Sequence, residues 1–297
     1  GSEMCIRDRY YLISEEKRRE MVKRSVAAIT DIYQNSILKD SSRNSFMIKR
    51  MEDLADRTVW AMGEQLKCGD FVPFVFEHKF NMEVGDGDRK QLMSGTIDRV
   101  DICENGTDVY VRIIDYKTGK KDFNIVKTYY GIDIQLMVYM EAAMKLVAKM
   151  RPGKNVIPAG VFYYNISDPI VSATTESAEE IEDKIKGELR LKGMVNSDKD
   201  IAEKMDNTEG TSLNIPVSRK ADGGFDSRRS KVMNTEQFNI LGRFVDVRAI
   251  DTADRIAGGD IRRSPYKDGQ FSSCDRCPYG AVCGFSVDLP GCNYRKL

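Results

Sequence analysis

The chain begins with two segments in which apolar residues recur every three to four positions, which is the spacing of an amphipathic helix. They run from residue 15 to 37 and from residue 45 to 66. We therefore predict a helical lead-in over residues 10–70. The nine residues before it, GSEMCIRDR, start with a Gly-Ser pair that is typical of a residual tag, so we exclude them, Cys5 included, from the fold.

After residue 70 the pattern changes to that of strands. Aromatic and apolar residues fill a first run that ends at a turn signal over residues 85–88, and a second run extends from Gln91 to Ile102. Another turn, Glu104-Asn105-Gly106, precedes residues 109–114, which are apolar enough to form a central strand. These runs predict three strands in a meander.

A helix and a fourth strand complete the predicted core. The helix covers residues 128–150 and the strand covers residues 156–166, which gives the order β-β-β-α-β. The sequence thus predicts an α/β core over residues 71–170. An extension over residues 171–273 follows, with charged helices at residues 176–192 and 198–205, a basic loop, and a further helix at residues 235–257.

Composition narrows the classes of function. The 297 residues carry 46 basic and 46 acidic side chains, so the formal net charge is zero and bulk charge attracts neither nucleic acid nor an anionic membrane. Any anionic partner must then be held by a local basic patch or by a metal. No apolar run has the length of a membrane span and no secretion leader is recognisable, so we expect a cytoplasmic protein.

Cysteines concentrate at the end of the chain. Four of the seven lie in residues 274–297, and three of these form the motif Cys274-x-x-Cys277-x5-Cys283. The clustering favours metal or cluster ligation in a reducing compartment over a disulfide framework, with zinc as the default metal. We treat residues 274–297 as a cysteine-rich tail.

The candidate chemistry starts at Asp115-Tyr116-Lys117, at the end of the predicted central strand. Alternate side chains on a strand share a face, so Asp115 and Lys117 point the same way. An isolated Asp-x-Lys is more often a strand-end ion pair than a site. Asp98 on the preceding strand favours a functional site instead, because antiparallel pairing across the Glu104-Asn105-Gly106 turn is expected to set it beside Asp115.

Two close carboxylates repel each other unless a cation lies between them. Oxygen ligands with few imidazoles favour magnesium or manganese over zinc. Glu77 on the first strand is a candidate third carboxylate, although a solvent-facing glutamate fits the spacing equally well. Gln135 and Tyr139 share one face of the following helix and suit phosphate or base contacts, but an ordinary surface pair has the same spacing.

Together these residues resemble the RecB-like branch of the PD-(D/E)xK nucleases, in order and in spacing, through Glu77, Gly95–Asp98, Asp115-x-Lys117 and Gln135-x-x-x-Tyr139. The resemblance implies a restriction-endonuclease-like α/β fold and a metal-dependent DNA nuclease. It implies that Lys117 positions or activates the attacking water and that Gln135 and Tyr139 contact DNA. The metal ligands that it implies are Asp98, Asp115, the Tyr116 carbonyl and, as an additional or water-mediated ligand, Glu77.

Within that resemblance, arginines become candidate DNA contacts. Arg99 follows Asp98 in the strand motif, and Arg228 and Arg229 belong to the loop over residues 207–231, which holds the densest basic run of the chain. A solvated loop is the plain alternative for such a run. We expect the substrate to be DNA, with single-stranded ends favoured.

Further stretches narrow the resemblance to the AddB family of the bacterial ATP-dependent AddAB helicase/nucleases; they are Arg57–Trp60, Gly69–Pro73, Ile215–Val217 and Tyr294–Leu297. The narrower resemblance implies that the partner is the other helicase/nuclease subunit of AddAB and that the complex acts in double-strand-break repair. It also implies a 4Fe-4S cluster whose last three ligands are Cys274, Cys277 and Cys283. The family's first cluster cysteine and a metal-site histidine precede the start of the resemblance. We therefore expect the cluster site in this chain to be incomplete.

Two other functions stay open from the sequence. A stand-alone exonuclease of the kind that serves CRISPR adaptation shares the motifs and the cysteine tail. A DNA-binding or scaffolding module that has lost catalysis is the alternative from another class. Asp98, Asp115 and Lys117 argue against the second of these, because a binding module has no need of a metal-binding pair of carboxylates.

Overall fold

The computed structural model of the protein describes residues 13–32, 41–84, 90–172 and 177–296. Three predictions fall on residues outside these ranges. They are the tag over residues 1–9, the end of the first helix near residue 37 and the turn over residues 85–88.

The helical lead-in consists of two packed helices. Helix α1 covers Glu15–Ile32 and helix α2 covers Ser42–Lys67, close to the predicted segments. Ser41 is the N-cap of α2, because its side chain accepts a hydrogen bond from a backbone N–H of the first turn. Arg18 on α1 donates hydrogen bonds of 2.8 and 3.1 Å to the carboxylate of Asp56 on α2, and this pair ties the helices together.

Six strands form the central sheet in the order β1-β2-β3-β4-β5-β6. Strands β1 (Val72–Val84), β2 (Gln91–Asn105) and β3 (Asp108–Lys117) are antiparallel neighbours, which confirms the predicted meander. Strand β4 (Asn155–Asn165) lies parallel to β3. Most of β3 is buried, as expected of a central strand in a sheet covered on both faces.

The helix predicted over residues 128–150 is in fact two helices. Helix α3 covers Ile125–Tyr129 and helix α4 covers Gln135–Met150. Asn124 caps α3 through its side chain, and Gly131, in the connection, has a φ of 74° that favours glycine. This break lets α4 begin at Gln135, where it contacts the end of β3.

Apolar cores lie on both faces of the sheet. On one face α4 and helix α7 (Thr235–Ala257) cover a cluster that includes Val111, Leu136 and Val245. On the other face α2 and helix α6 (Lys199–Met205) cover a cluster that includes Ile114, Phe162 and Met205. None of the helices within the described ranges is both long and apolar enough to cross a membrane.

The sheet continues beyond residue 170, the predicted end of the core. Lys192–Asn196 form β5, antiparallel to β4, and Val232–Met233 form β6, parallel to β5. The prediction of one helix to residue 192 was wrong, because helix α5 covers only Ala178–Glu188. A strand of five residues is too short to show a clear period, so the hydrophobic pattern does not reveal β5.

The basic loop over residues 207–231 is organised by a buried carboxylate. Asp206 is fully buried and accepts hydrogen bonds from Ser212 Oγ at 2.7 Å and from Asn214 Nδ2 at 3.1 Å. Arg219 donates from its guanidinium to three backbone carbonyls in and after α6. Arg219 therefore holds the loop in place rather than presenting its charge to solvent.

The described part of the cysteine-rich tail forms a small unit together with residues 266–272. Tyr266–Asp268 (β7), Phe271–Ser272 (β8) and Arg295–Lys296 (β9) make a three-stranded sheet in the order β8-β7-β9. A one-turn helix, α8, covers Gly280–Cys283. This unit contacts the main body at α3, where Lys127 Nζ lies 3.0 Å from a carboxylate oxygen of Asp268.

Candidate active site

Asp115 and Lys117 share one face at the end of β3, as their alternation predicts. The Asp115 side chain is almost fully buried, and the Lys117 side chain is partly exposed. Lys117 Nζ lies 2.5 Å from Asp115 Oδ2, so the two side chains form an ion pair. Oδ2 has no other hydrogen-bonding partner within the described ranges. One oxygen of a buried carboxylate is therefore held only by a long, partly exposed side chain.

Asp98 lies beside Asp115 through the pairing of β2 with β3. Arg99 pairs with Ile114, so the next position along each strand sets Asp98 opposite Asp115. Asp98 Oδ2 accepts a 2.7 Å hydrogen bond from the backbone N–H of Tyr116. The N–H and C=O of one residue in an extended strand point to the same side, so the Tyr116 carbonyl also faces the Asp98 side of β3.

The surroundings of Asp115 raise the pKa of its carboxyl group. Burial is the largest cause, because it disfavours the charged form, and the neighbouring charge of Asp98 acts in the same direction. Lys117 opposes both effects but does not cancel them. A second cation beside Asp98 and Asp115 would relieve this cost.

Helix α4 supplies an amide and a phenol to the same place. Gln135 Nε2 donates to Asp115 Oδ1 at 3.2 Å and to the Tyr139 hydroxyl at 2.9 Å. Tyr139 packs edge to face against Phe80, with ring centroids 5.7 Å apart. Gly95 makes room for these rings, because a Cβ there would lie 2.8 Å from the Phe80 ring and 3.3 Å from the Tyr139 ring. Packing of these two rings therefore explains the glycine at position 95 of the strand motif.

Glu77 does not join the two aspartates as a third carboxylate. It lies opposite Asp98 in the β1–β2 register, between the Phe76–Arg99 and His78–Ile97 pairs. However, Glu77 has a φ of 48°, which breaks the regular alternation of side chains, and its side chain is exposed. Nowhere in the described chain do three or more Asp, Glu, His or Cys side chains converge closely enough to hold a metal ion.

The donors that do meet suit a hard divalent cation. Asp98 and Asp115 provide two carboxylates on neighbouring strands, and the Tyr116 carbonyl faces the same side as Asp98. The weakly satisfied Oδ2 of Asp115 is an oxygen that a cation would take over from Lys117. All these donors are oxygens, which magnesium and manganese prefer. The chemistry of the donor set therefore fits the predicted metal.

Arg99 does not contact DNA, and the prediction for this residue was wrong. Its side chain is fully buried on the opposite face of the sheet, where it donates to both carboxylate oxygens of Asp101 at 2.6 and 2.7 Å. Arg112 binds the same carboxylate at 2.8 Å, and Arg99 also donates to the Tyr116 hydroxyl at 3.3 Å. This buried Arg-Asp-Arg triad is structural and lies directly behind the site.

Three residues near the site escape the motif-based prediction. Asp133 Oδ1 accepts a hydrogen bond from the Tyr163 hydroxyl at 2.9 Å, and Asp133 Oδ2 lies 3.1 Å from Lys121 Nζ. Lys121 and Lys117 both lie over the Tyr163 ring, 5.0 and 5.7 Å from its centroid. A second lysine soon after Asp-x-Lys and an aspartate two residues before Gln135 were the available signals for this group.

Arg228 and Arg229 are exposed on the basic loop, as expected of DNA-contacting residues. Their DNA contact stays a prediction. The end of the loop is tied to the segment after Lys117, because Lys231 Nζ lies 2.5 Å from Asp122 Oδ2. The loop is therefore anchored to the same part of the chain that carries the catalytic lysine candidate.

The tail cysteines differ in their exposure. Cys277 is exposed, Cys274 and Cys283 are half-buried, and Cys292 is buried. They are among the residues searched for groups of three or more metal ligands, and they form none. The part played by Cys274, Cys277 and Cys283 as iron–sulfur ligands therefore stays a prediction.

Comparison with known proteins agrees with the fold. The family model for the PD-(D/E)XK nuclease superfamily matches residues 8–284. The chain is 36% identical over 296 residues to the B subunit of an ATP-dependent helicase/deoxyribonuclease of Caldanaerobacter subterraneus subsp. tengcongensis, a match that covers 96% of this chain and 25% of that protein. It is 34% identical over 298 residues to the protein of the same name from Lachnoclostridium phytofermentans, covering 97% and 25%.

A third relative, of the same name and from Clostridium botulinum (strain Hall), is 36% identical over 272 residues, covering 88% of this chain and 24% of that protein. The chain thus spans about a quarter of the length of these curated relatives. The family match covers most of the chain, which confirms the predicted restriction-endonuclease-like fold. The chain belongs to the PD-(D/E)XK nuclease superfamily.

Proposed function

We propose that the chain is a nuclease domain that hydrolyses DNA phosphodiesters with magnesium or manganese. The meeting of Asp98, Asp115 and Lys117 on neighbouring strands β2 and β3 carries this proposal. Two carboxylates and an ammonium at one point are the groups that phosphodiester hydrolysis needs, since the reaction requires a held metal and an oriented water. The relatives, which are named as helicase/deoxyribonucleases, support DNA as the substrate.

Each residue has a distinct part in this proposal. Asp98, Asp115 and the Tyr116 carbonyl would hold the metal, which supplies a Lewis acid for the scissile phosphate and charge relief at the leaving oxygen. Lys117 orients the water whose oxygen attacks phosphorus, and the water proton ends on the leaving oxygen. Gln135 fixes the Asp115 carboxylate through Oδ1, which leaves Oδ2 towards Lys117.

We extend the proposal to the longer protein that the relatives represent. There the domain acts as an exonuclease on single-stranded ends in double-strand-break repair, together with the helicase/nuclease partner protein of the same complex, in the cytoplasm. The relatives are named as B subunits of a helicase/deoxyribonuclease, and this name supports a helicase partner. The names of the relatives also favour this function over that of a stand-alone exonuclease of CRISPR adaptation.

The test is degradation of end-labelled single-stranded DNA by the chain, with magnesium, with manganese and with EDTA. We expect cutting with either metal and none in EDTA. Asp115→Asn should abolish cutting, because it removes a metal-binding charge with little change of volume. Asp183→Asn is the matched control, since Asp183 is exposed on α5, away from β2 and β3, and it should cut like the wild type.

Two results would contradict the proposal. Cutting that persists in EDTA or in Asp115→Asn would exclude the metal-nuclease mechanism for this site. A folded chain that binds DNA but does not cut with either metal would instead favour the DNA-binding module. Circular dichroism of each variant shows whether the comparison is made between folded proteins.

A further inference from the structure

An aromatic surface lies on the segment that connects the two halves of the site. Lys117 at the end of β3 and Gln135 at the start of α4 are joined by residues 118–134, which include α3. Tyr129, the last residue of α3, is 55% exposed. Tyr129 therefore presents aromatic surface to solvent a few residues before Gln135.

The Tyr129 ring is held flat against a second ring. It stacks on Phe244 of α7 with centroids 5.3 Å apart and an angle of 5° between the planes. Tyr130 meets Tyr129 at nearly a right angle, also at 5.3 Å. The ring is therefore fixed from two directions, while the residue as a whole stays 55% exposed.

A cation accompanies the stacked pair. The guanidinium carbon of Arg248 lies 5.5 Å from the centroid of the Phe244 ring, and Nη2 donates a long hydrogen bond of 3.5 Å to the Tyr129 carbonyl. Arg248 Nε has no hydrogen-bonding partner within the ranges described, although it is buried. Among the described residues this guanidinium contacts an aromatic ring and a carbonyl and pairs with no carboxylate, so an anion that reaches it would not have to displace an acidic side chain.

The connection to the site is rigid. Thr128, next to Tyr129, is fully buried and donates from its hydroxyl to the Asp133 carbonyl at 2.9 Å. The Asp133 side chain in turn binds Tyr163 and Lys121, beside Lys117. The position of Tyr129 is therefore set by the same contacts that order the site.

We propose that Tyr129, stacked on Phe244 and accompanied by Arg248, is a stacking site for a base of single-stranded DNA that leads to Asp115 and Lys117. The inference rests on the proposed nuclease function and adds a binding site to it. An open flat ring offers a partner to any unpaired base, and a nearby guanidinium suits the phosphate that follows. Bases in a duplex are already stacked on each other, so the site selects a single strand.

The experiment compares two fluorescein-labelled probes by fluorescence anisotropy in EDTA, which prevents cutting under the proposed mechanism. One probe is a short oligothymidylate, and the other is an abasic sugar-phosphate oligomer of the same length. Both carry the same charge, so their difference in Kd with the full chain measures stacking. The wild type should bind oligothymidylate more tightly, and Tyr129→Ala should weaken that binding by roughly 5- to 150-fold while binding of the abasic probe is unchanged.

Two variants sharpen the result. Tyr129→Trp keeps a flat ring and should keep the preference for oligothymidylate. Phe46→Ala removes another exposed ring, at the start of α2, and should leave both Kd values at the wild-type level. Because Tyr129 and Phe46 are both exposed, neither truncation opens a cavity in the core.

The proposal is overturned if the wild type binds both probes equally, or if Tyr129→Ala keeps the preference. The latter result would show that the preference for oligothymidylate arises at another residue. Failure of the nuclease function is a separate outcome, since it shows as absence of cutting with magnesium and manganese. In that case a preference lost in Tyr129→Ala and kept in Tyr129→Trp still supports the stacking site.

Discussion

The backbone N–H of Tyr116 donates a 2.7 Å hydrogen bond to Oδ2 of Asp98. This bond continues the contact between β3 and β2 one step beyond the Arg99–Ile114 pair. A side chain here takes the place of a backbone carbonyl, so the orientation of the Asp98 carboxylate is set by the strand that carries Asp115. This hydrogen bond therefore positions Asp98 relative to the strand that carries Asp115.

Asp98→Asn removes the negative charge of this side chain but keeps an oxygen that can accept the hydrogen bond. The amide oxygen still accepts from Tyr116 N–H, so we expect the free energy of unfolding to change by less than about 1 kcal/mol. Metal-dependent cutting should fall by about a hundredfold or more, because a metal-binding charge is lost. Urea unfolding and degradation of labelled DNA measure the two effects. Wild-type cutting by a folded Asp98→Asn would remove Asp98 from the proposed ligand set.

Lys117→Met tests the lysine while keeping most of its length. If Lys117 orients the attacking water, kcat should drop by about 10²- to 10⁴-fold, and binding of DNA should persist. Lys120→Met is the matched control, since Lys120 is exposed three residues further along the chain. A kcat within a few-fold of the wild type for Lys117→Met would assign the Asp115–Lys117 contact to strand-end stabilisation alone.

Gln135→Leu distinguishes positioning of Asp115 from contact with DNA. Because Gln135 Nε2 donates to Asp115 Oδ1 and to Tyr139, we expect a fall in kcat of about 10- to 100-fold with KM for DNA near the wild-type value. Tyr139→Phe removes the hydroxyl that accepts from Gln135 but leaves the bond from Gln135 to Asp115 in place, so kcat should fall less than in Gln135→Leu. A raised KM with unchanged kcat in Gln135→Leu would instead support the direct DNA contact that the motif implies.

The sequence predicts the site where local geometry is sufficient. Alternation along β3 sets Asp115 and Lys117 on one face, and the turn at residues 104–106 sets the register that brings Asp98 beside Asp115. Helical spacing likewise joins Gln135 to Tyr139. Each of these contacts depends on the regular spacing of side chains along a strand or helix, or on a short turn between strands. Both features are visible in the sequence.

The failures arise where a tertiary contact decides the outcome. Alternation along β2 points Arg99 to the face opposite to Asp98, and packing on that face buries it against the Asp101 carboxylate instead of exposing it to DNA. Glu77 has the spacing of a ligand, yet its positive φ turns the strand at that point. Strand β5 forms because it pairs with β4, and its five residues are too few to show the alternation of apolar and polar positions that would predict a strand.

Asp101→Asn tests the buried triad behind the site. Arg99 and Arg112 both lie fully buried against the Asp101 carboxylate, so its loss leaves two uncompensated charges in the core. We expect the free energy of unfolding to fall by about 3–5 kcal/mol in urea denaturation. Asp53→Asn, on the exposed face of α2, should change it by less than about 1 kcal/mol. Equal stability of both variants would contradict a structural role for the triad.

Asp115→Asn should stabilise the metal-free protein at neutral pH. The folded state raises the pKa of this carboxyl group, chiefly through burial, so the ionised side chain costs stability above its folded-state pKa. The cost diminishes as the pH falls through that value, and it is gone below the ordinary pKa of about 3.9, where the carboxyl group is neutral in both states.

Urea unfolding in EDTA across this pH range should therefore show the advantage of Asp115→Asn at pH 7 and its loss in acid. Adding magnesium should stabilise the wild type alone, since only its carboxylate pair binds the ion. Lower stability of Asp115→Asn at pH 7 would mean that the ion pair with Lys117 outweighs burial. The Oδ2 oxygen would then be satisfied without a metal, which would remove the main structural argument for a cation at this position.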